Sequence, residues 1–215
     1  MVAVGSTSLQ VCCCMRVGIL GGTFDPIHLG HLLIAEESRV TLGLDRVLFV
    51  PAGRPWLKEG QPLTEPLHRV RMVELAIASN PRFELRRNEV DRSGLSYTVD
   101  TLRELQAERE GDTDLFFILG VDAFESFHRW KEPDRVLDLC RLVVVSRPGY
   151  GEEELRGILS RFQSREDRIC LLPVHNVDFS ATEIRRRAAV GKSFKYQVPE
   201  EVEDYIWKQG LYRNS

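Results

Sequence analysis

No stretch of the 215 residues approaches the ~18–20 consecutive apolar residues that a membrane-spanning helix requires. Neither sign of charge is in excess: 29 Lys and Arg face 32 Asp and Glu, a net charge of −3 with His neutral. Broad binding to nucleic acid needs a surplus of Lys and Arg, so that function class is set aside. A local basic pocket for a small polyanion is still allowed. Cysteine is sparse, at five residues, and none of the spacings suits zinc or a disulfide framework. Cys12, Cys13 and Cys14 are contiguous, while Cys140 and Cys170 stand alone in apolar stretches and read as small core residues in a reducing cytoplasm. Internal repeats and low-complexity linkers are also lacking.

What is present is an ordinary globular composition, 43% apolar and 28% charged, in a length that suits a single domain with a full-sized core. Residues 1–14 differ from the rest. They carry no positive n-region and no long apolar segment, so they make a poor signal peptide. Met15-Arg16-Val17-Gly18 reads as a natural start, with residues 1–14 expected to be a mis-assigned or disordered extension and 15–215 the domain. Short apolar runs at 16–20, 46–51, 82–85, 114–119, 141–146 and 168–173 read as buried strands. Helical periodicity occupies 30–42, 65–79, 98–109, 133–138, 152–162, 181–190 and 199–209. Strands that are continuously apolar and alternate with helices predict a doubly wound, Rossmann-like α/β domain, with a parallel sheet covered on both faces. Ligands of such sheets sit outside the carboxyl ends of the strands. The loop 52–61, with Gly53, Pro55 and Gly60, follows the second strand there and has the composition of a lid.

The first strand runs directly into Gly21-Gly22-Thr23-Phe24-Asp25-Pro26-Ile27-His28-Leu29-Gly30-His31-Leu32. The three-glycine dinucleotide fingerprint is missing, and so is the Gly-Lys-Ser/Thr of a Walker A loop. Instead, a Gly-rich turn opens a helix whose first turn carries two histidines. Backbone N–H groups and the helix N-terminus favour an anion here. His28 and His31 are three apart and share a helix face, and Gly30 between them leaves room for a phosphate to approach. Histidines that merely cap and pack the helix are the alternative. A second block, Phe179-Ser180-Ala181-Thr182-Glu183-Ile184-Arg185, has the spacing of a capping box, with Ser180 at the N-cap and Glu183 three residues on. Arg186 and Arg187 read as a solvated face.

The twelve-residue turn closely resembles the HxGH signature of the nucleotidyltransferase superfamily, and in particular bacterial nicotinate-mononucleotide adenylyltransferases. Four further blocks follow in that family's order. Ser96-Tyr97-Thr98-Val99-Asp100-Thr101-Leu102 resembles its SYTxDTL segment, and Leu119-Gly120-Val121-Asp122-Ala123 its GxDA/S turn. Phe179–Arg185 resembles ISSTxIR, with Phe179 and Ala181 as departures. Arg147-Pro148-Gly149 resembles its RPG turn, against the plain reading of a chain reversal. Trp130 stands where the family stacks a Trp on a pyridine ring, a contact that suits an aromatic face. Pro55-Trp56-Leu57-Lys58 departs from the family's Pro-Pro-His-Lys, keeping one proline and the final cation.

The resemblance covers about residues 15–213 and implies transfer of AMP from ATP to nicotinate mononucleotide in NAD biosynthesis. It implies that His28, His31 and Arg185 act on the phosphates, with Gly21, Gly22, Thr23, Phe24, Gly30, Gly120, Asp122, Ser180 and Thr182 in the ATP site. Asp25, Lys58, Tyr97, Thr98 and Trp130 would serve the second substrate. Mg²⁺ is expected to arrive on the ATP phosphates, with no metal site built by the protein. The implied partners are the two small substrates, without nucleic acid or membrane; homo-oligomerisation is left open. The rivals are a phosphopantetheine-type adenylyltransferase and a nucleotide-sensing module without turnover.

Overall fold

A computed structural model describes residues 14–108, 111–146, 157, 160–174 and 179–213. The expectations for residues 1–13, for Arg147-Pro148-Gly149 and for most of the helix at 152–162 fall outside the described residues. Six strands form one wholly parallel sheet: β1 (Met15–Gly22), β2 (Arg46–Pro51), β3 (Phe83–Leu85), β4 (Thr113–Gly120), β5 (Arg141–Ser146) and β6 (Ile169–Pro173). Their order across the sheet is β3-β2-β1-β4-β5-β6. The chain therefore winds outward from β1 in one direction, then returns to β4 on its other side. Between β1 and β4 the two crossovers diverge, and a crevice opens at the carboxyl ends of these strands.

Alternation along the strands explains the two cores. Leu20, Val47, Phe49, Phe116, Ile118, Val143 and Val145 face one side. There they meet α1 (Leu29–Leu42), α2 (Pro66–Ile77), α7 (Ala181–Ala189) and α8 (Glu200–Gln209) through residues such as Ala35, Met72, Ile184 and Ile206. Val17, Ile19, Leu48, Val50, Leu115, Phe117, Leu119 and Val144 face the other side. Their partners are α4 (Thr98–Glu108), α5 (Val121–Glu125) and α6 (Pro133–Leu139). A period of two with apolar residues on both phases yields a strand buried on both faces. Cys140 lies in the second core, while Cys170 is only half-buried. Two short helices, α3 (Asn88–Asp91) and α5, have too few residues to show a period in the sequence. Among the described residues no helix is long and apolar enough to cross a membrane.

Candidate functional site

A cleft of about 350 Å³ opens at the carboxyl ends of β1 and β4. Of the residues expected in the site, it brings together Gly21, Gly22, Thr23, His28, Gly30, His31, Lys58, Thr98, Gly120 and Trp130. The β1 turn supplies one end. His28 is the extended N-cap of α1, and the two imidazoles stack with centroids 3.7 Å apart at 26°. The backbone N–H of His28 donates to Nδ1 of His31 at 3.2 Å. That nitrogen is thus an acceptor, so the proton of a neutral His31 ring sits on Nε2 and leaves Nε2–H as its donor. The capping role and the ligand role are therefore compatible: Nδ1 accepts at the helix start, and Nε2–H is the donor of the neutral ring.

Gly30 has a different use from the one expected. A Cβ there would lie 3.1 Å from Nδ1 of His28 and 3.3 Å from the Phe179 ring. Glycine makes room for these two protein rings, and Gly30 itself lines the cleft. At Gly120, the N-cap of α5, a Cβ would meet nothing within 4 Å, so the cleft is open above it.

The other end is aromatic. Trp130 is held by edge contacts with Phe117 (5.9 Å, 89°) and Phe127 (5.3 Å, 62°). Its Nε1 is buried and has no hydrogen-bond partner among the described residues. Trp56 and Leu57, the two departures from the family loop, both line the cleft, on the 3-10 turn Trp56–Lys58. Burial first, then the nearby charge of Arg185, lowers the pKa of Lys58 from its ordinary value of 10.5.

Several expected contact residues support the cleft from outside its lining. Phe24 is buried in the core, with φ of 49°, and its ring meets His31 edge-on at 5.1 Å. It braces His31 from behind and does not line the cleft. Asp25 is also buried, its carboxylate accepting from the Thr64 N–H and the Tyr212 hydroxyl. Tyr97 leans on Trp56 at 6.3 Å and lies 4.7 Å beneath the Lys131 ammonium, so it steadies the lid turn. Asp122 is exposed in the first turn of α5. Ser180 caps α7 by accepting from Glu183 N–H at 3.4 Å, as the capping-box spacing predicts. Arg185 donates to the Asp25 carbonyl at 2.6 Å and to Thr182 Oγ1 at 3.3 Å, which seats it beside the β1 turn. Arg186 and Arg187 both pair with Glu183, holding its carboxyl down at about 2.

Two buried polar residues escaped sequence reasoning. Arg69 on α2 is 1% exposed and donates to the carbonyls of Thr23, Ala52, Gly53 and Thr64. It joins the turn after β1 to the loop after β2, the two walls of the cleft. A signal did exist: positions 69, 72, 73 and 76 share one face of α2, and the other three are apolar. Glu89 lines the cleft and accepts from Thr101 Oγ1 at 2.7 Å; burial, above all, raises its pKa above 4.5. It lies in the polar run Asn88-Glu89-Val90-Asp91-Arg92, which looks like any solvated turn. Gly53 is matched to it, since a Cβ there would lie 2.1 Å from the Glu89 carbonyl oxygen.

The comparisons with known proteins agree with this architecture. A cytidylyltransferase-like family model matches residues 19–187. A Thermus thermophilus protein named "probable nicotinate-nucleotide adenylyltransferase" is 48% identical over 199 residues, 93% of this chain and 100% of its own length. A Roseiflexus protein of the same name is 48% identical over 197 residues, covering 92% of this chain and 98% of its own. The Plasmodium falciparum nicotinic acid mononucleotide adenylyltransferase complexed with NaAD superposes with a TM-score of 0.74 at 21% identity, over 92% of this chain and 97% of that one; at that identity it speaks for the fold. Identity this high over nine-tenths of both lengths amounts to membership: the chain belongs to the cytidylyltransferase-like family, on its nicotinate-nucleotide adenylyltransferase branch.

Proposed function

We propose that this chain transfers AMP from ATP to nicotinate mononucleotide, giving nicotinate adenine dinucleotide and pyrophosphate. The observation that carries this reading is one cleft with two chemically different ends. Stacked histidines beside a Gly-rich turn occupy one end, and a half-buried indole lines the other. In the reaction a 5′-phosphate oxygen of nicotinate mononucleotide attacks the α-phosphorus of ATP. The bond from that phosphorus to the bridging oxygen breaks, and pyrophosphate leaves with the electron pair. The attacking oxygen is already ionised, so no nucleophile or general base is required of the protein. Positioning and charge stabilisation remain to be supplied, and orientation alone is worth roughly 7–11 kcal/mol.

In this reading Nε2–H of His31 donates to the α-phosphate, with His28 beside it and the N–H groups of Gly21, Gly22 and Thr23 nearby. Open space above Gly120 suits the adenosine side, with Asp122 at its rim. Arg185, Ser180 and Thr182 face the β- and γ-phosphates. Lys58, which the resemblance gives to the second substrate, is read here as a further cation for the phosphates, its pKa lowered first by burial and then by the charge of Arg185 beside it. ATP enters as its magnesium complex, the ion held by phosphate oxygens and water. Thr98 and Trp130 hold the pyridine ring, and the buried Trp130 Nε1 is a donor in search of an acceptor. The setting is the cytoplasm, where thiols such as Cys140 stay reduced.

Incubation with ATP, Mg²⁺ and nicotinate mononucleotide is expected to release pyrophosphate; intact ATP binding without release would overturn the reading. His31→Ala is expected to lower kcat on the order of 10²–10³-fold, the size of one lost transition-state donor, while KM for nicotinate mononucleotide moves little.

A further inference from the structure

We propose that Tyr212 is a positioning residue for ATP binding: its phenol holds the Asp25 carboxylate away from the cations that meet the phosphates. The inference rests on the adenylyl-transfer reading in taking Lys58 and Arg185 to face phosphate.

Asp25 is a buried acid, 4% exposed, set among cations. Beyond burial, the charges of Arg185 and Arg69 push the Lys58 pKa downward and that of Asp25 pushes it upward, so all three lie near Lys58. A carboxylate in that position ordinarily forms an ion pair. Among the described residues none forms within 4.0 Å; each oxygen takes a neutral donor instead. Oδ1 accepts from the Tyr212 hydroxyl at 2.7 Å, and Oδ2 accepts from the Thr64 N–H at 3.2 Å. Arg69 is committed to four carbonyls and Arg185 to the Asp25 backbone oxygen. Asp25 is thus anchored by neutral donors, and the charge of Lys58 stays available to an incoming polyanion.

Tyr212 is built for this contact. It follows α8, whose end is closed by the αL residue Gly210 and by Leu211 N–H donating to the Ile206 carbonyl. The tail then turns back, and Tyr212 itself adopts φ of 65°, a region that non-glycine residues rarely occupy without being held there. Its side chain packs against the first core, and its phenol bridges 187 residues of sequence to reach Asp25. Burial, and then the charge of Asp25, raise its pKa, so the hydroxyl stays a donor across the working pH range. Loss of that hydroxyl frees one carboxylate oxygen to swing toward Lys58 and Arg185 and compete there with phosphate.

Tyr212→Phe tests the idea through the Kd for ATP, measured calorimetrically with Mg²⁺ and without the second substrate. The Kd is expected to rise about three- to tenfold, the size of a partly screened charge contact. KM for nicotinate mononucleotide is expected to move less. Adding Asp25→Asn to Tyr212→Phe is expected to restore wild-type affinity, because a neutral amide does not compete with phosphate. An unchanged Kd in Tyr212→Phe, or a double variant as weak as the single one, would overturn the proposal. A merely structural role would lower Tm in both variants without rescue. If Tyr212→Phe does not fold, Asp25→Asn alone decides: affinity equal to or tighter than wild type supports the latch, and weaker binding refutes it. Wild-type protein that binds ATP yet releases no pyrophosphate faults the reaction, and leaves the latch to be judged on these Kd values.

Discussion

Arg69→Met removes a guanidinium that ties together both walls of the cleft. The side chain is 1% exposed and makes four hydrogen bonds, to the carbonyls of Thr64, Thr23, Ala52 and Gly53 at 2.7–3.0 Å. At about 1.5–3 kcal/mol for each bond to a charged group, the naive sum is roughly 6–12 kcal/mol. Two effects reduce it. Thr23, Gly53 and Thr64 are only half-buried, so water can replace the lost donor at their carbonyls. The arginine also carries a desolvation penalty, seen in the lowering of its pKa by burial, and methionine removes it. The net loss is then about 3–5 kcal/mol, in line with breaking other buried charged contacts. Against a total of roughly 5–15 kcal/mol, that is a large share. In urea unfolding at pH 7, with m near 2 kcal/mol per M, the midpoint is expected to fall by about 1.5–2.5 M. Arg69→Lys should fall between the two, because one ammonium cannot span all four acceptors. A loss below about 1 kcal/mol for Arg69→Met would refute the reasoning, since it would mean that water serves these carbonyls equally well.

Gly30→Ala should lower kcat tenfold or more, on the scale of sub-ångström misplacement. The new Cβ would press on the His28 and Phe179 rings at 3.1–3.3 Å, and an unchanged kcat would show that the ring position does not matter. Glu89→Gln should alter how stability depends on pH. The native pKa of Glu89 is raised above 4.5, so the folded state binds its proton more tightly than the unfolded chain does. That stabilisation is complete below pH 4.5 and is lost as pH rises through the raised native value. Tm of the wild type should therefore decline across that window relative to the glutamine variant; parallel Tm–pH curves would refute the assignment.

The local grammar of this chain was legible because each signal is short-range. Continuous apolar runs marked all six strands, with β2 and β5 matching their expected limits, since burial on both faces leaves no polar phase. Ser180 and Glu183 announced the start of α7 three residues apart. The Gly-rich turn with His28 and His31 marks residues that line the cleft. Sequence alone therefore determined the α/β class, the strand–turn–helix that opens the site and the family to which it belongs. The tertiary structure decided which of the neighbouring residues face the cleft and which stand behind it. Phe24 and Asp25 lie within a few residues of His28, yet one packs beneath His31 and the other is turned toward Tyr212. Arg185 reaches Asp25 across 160 residues, and Tyr212 does so across 187. Contacts at that separation depend on how the helices and the C-terminal tail pack around the sheet. No local period or cap encodes them, because the free energy that selects them comes from burying charge and polar groups in one shared interior.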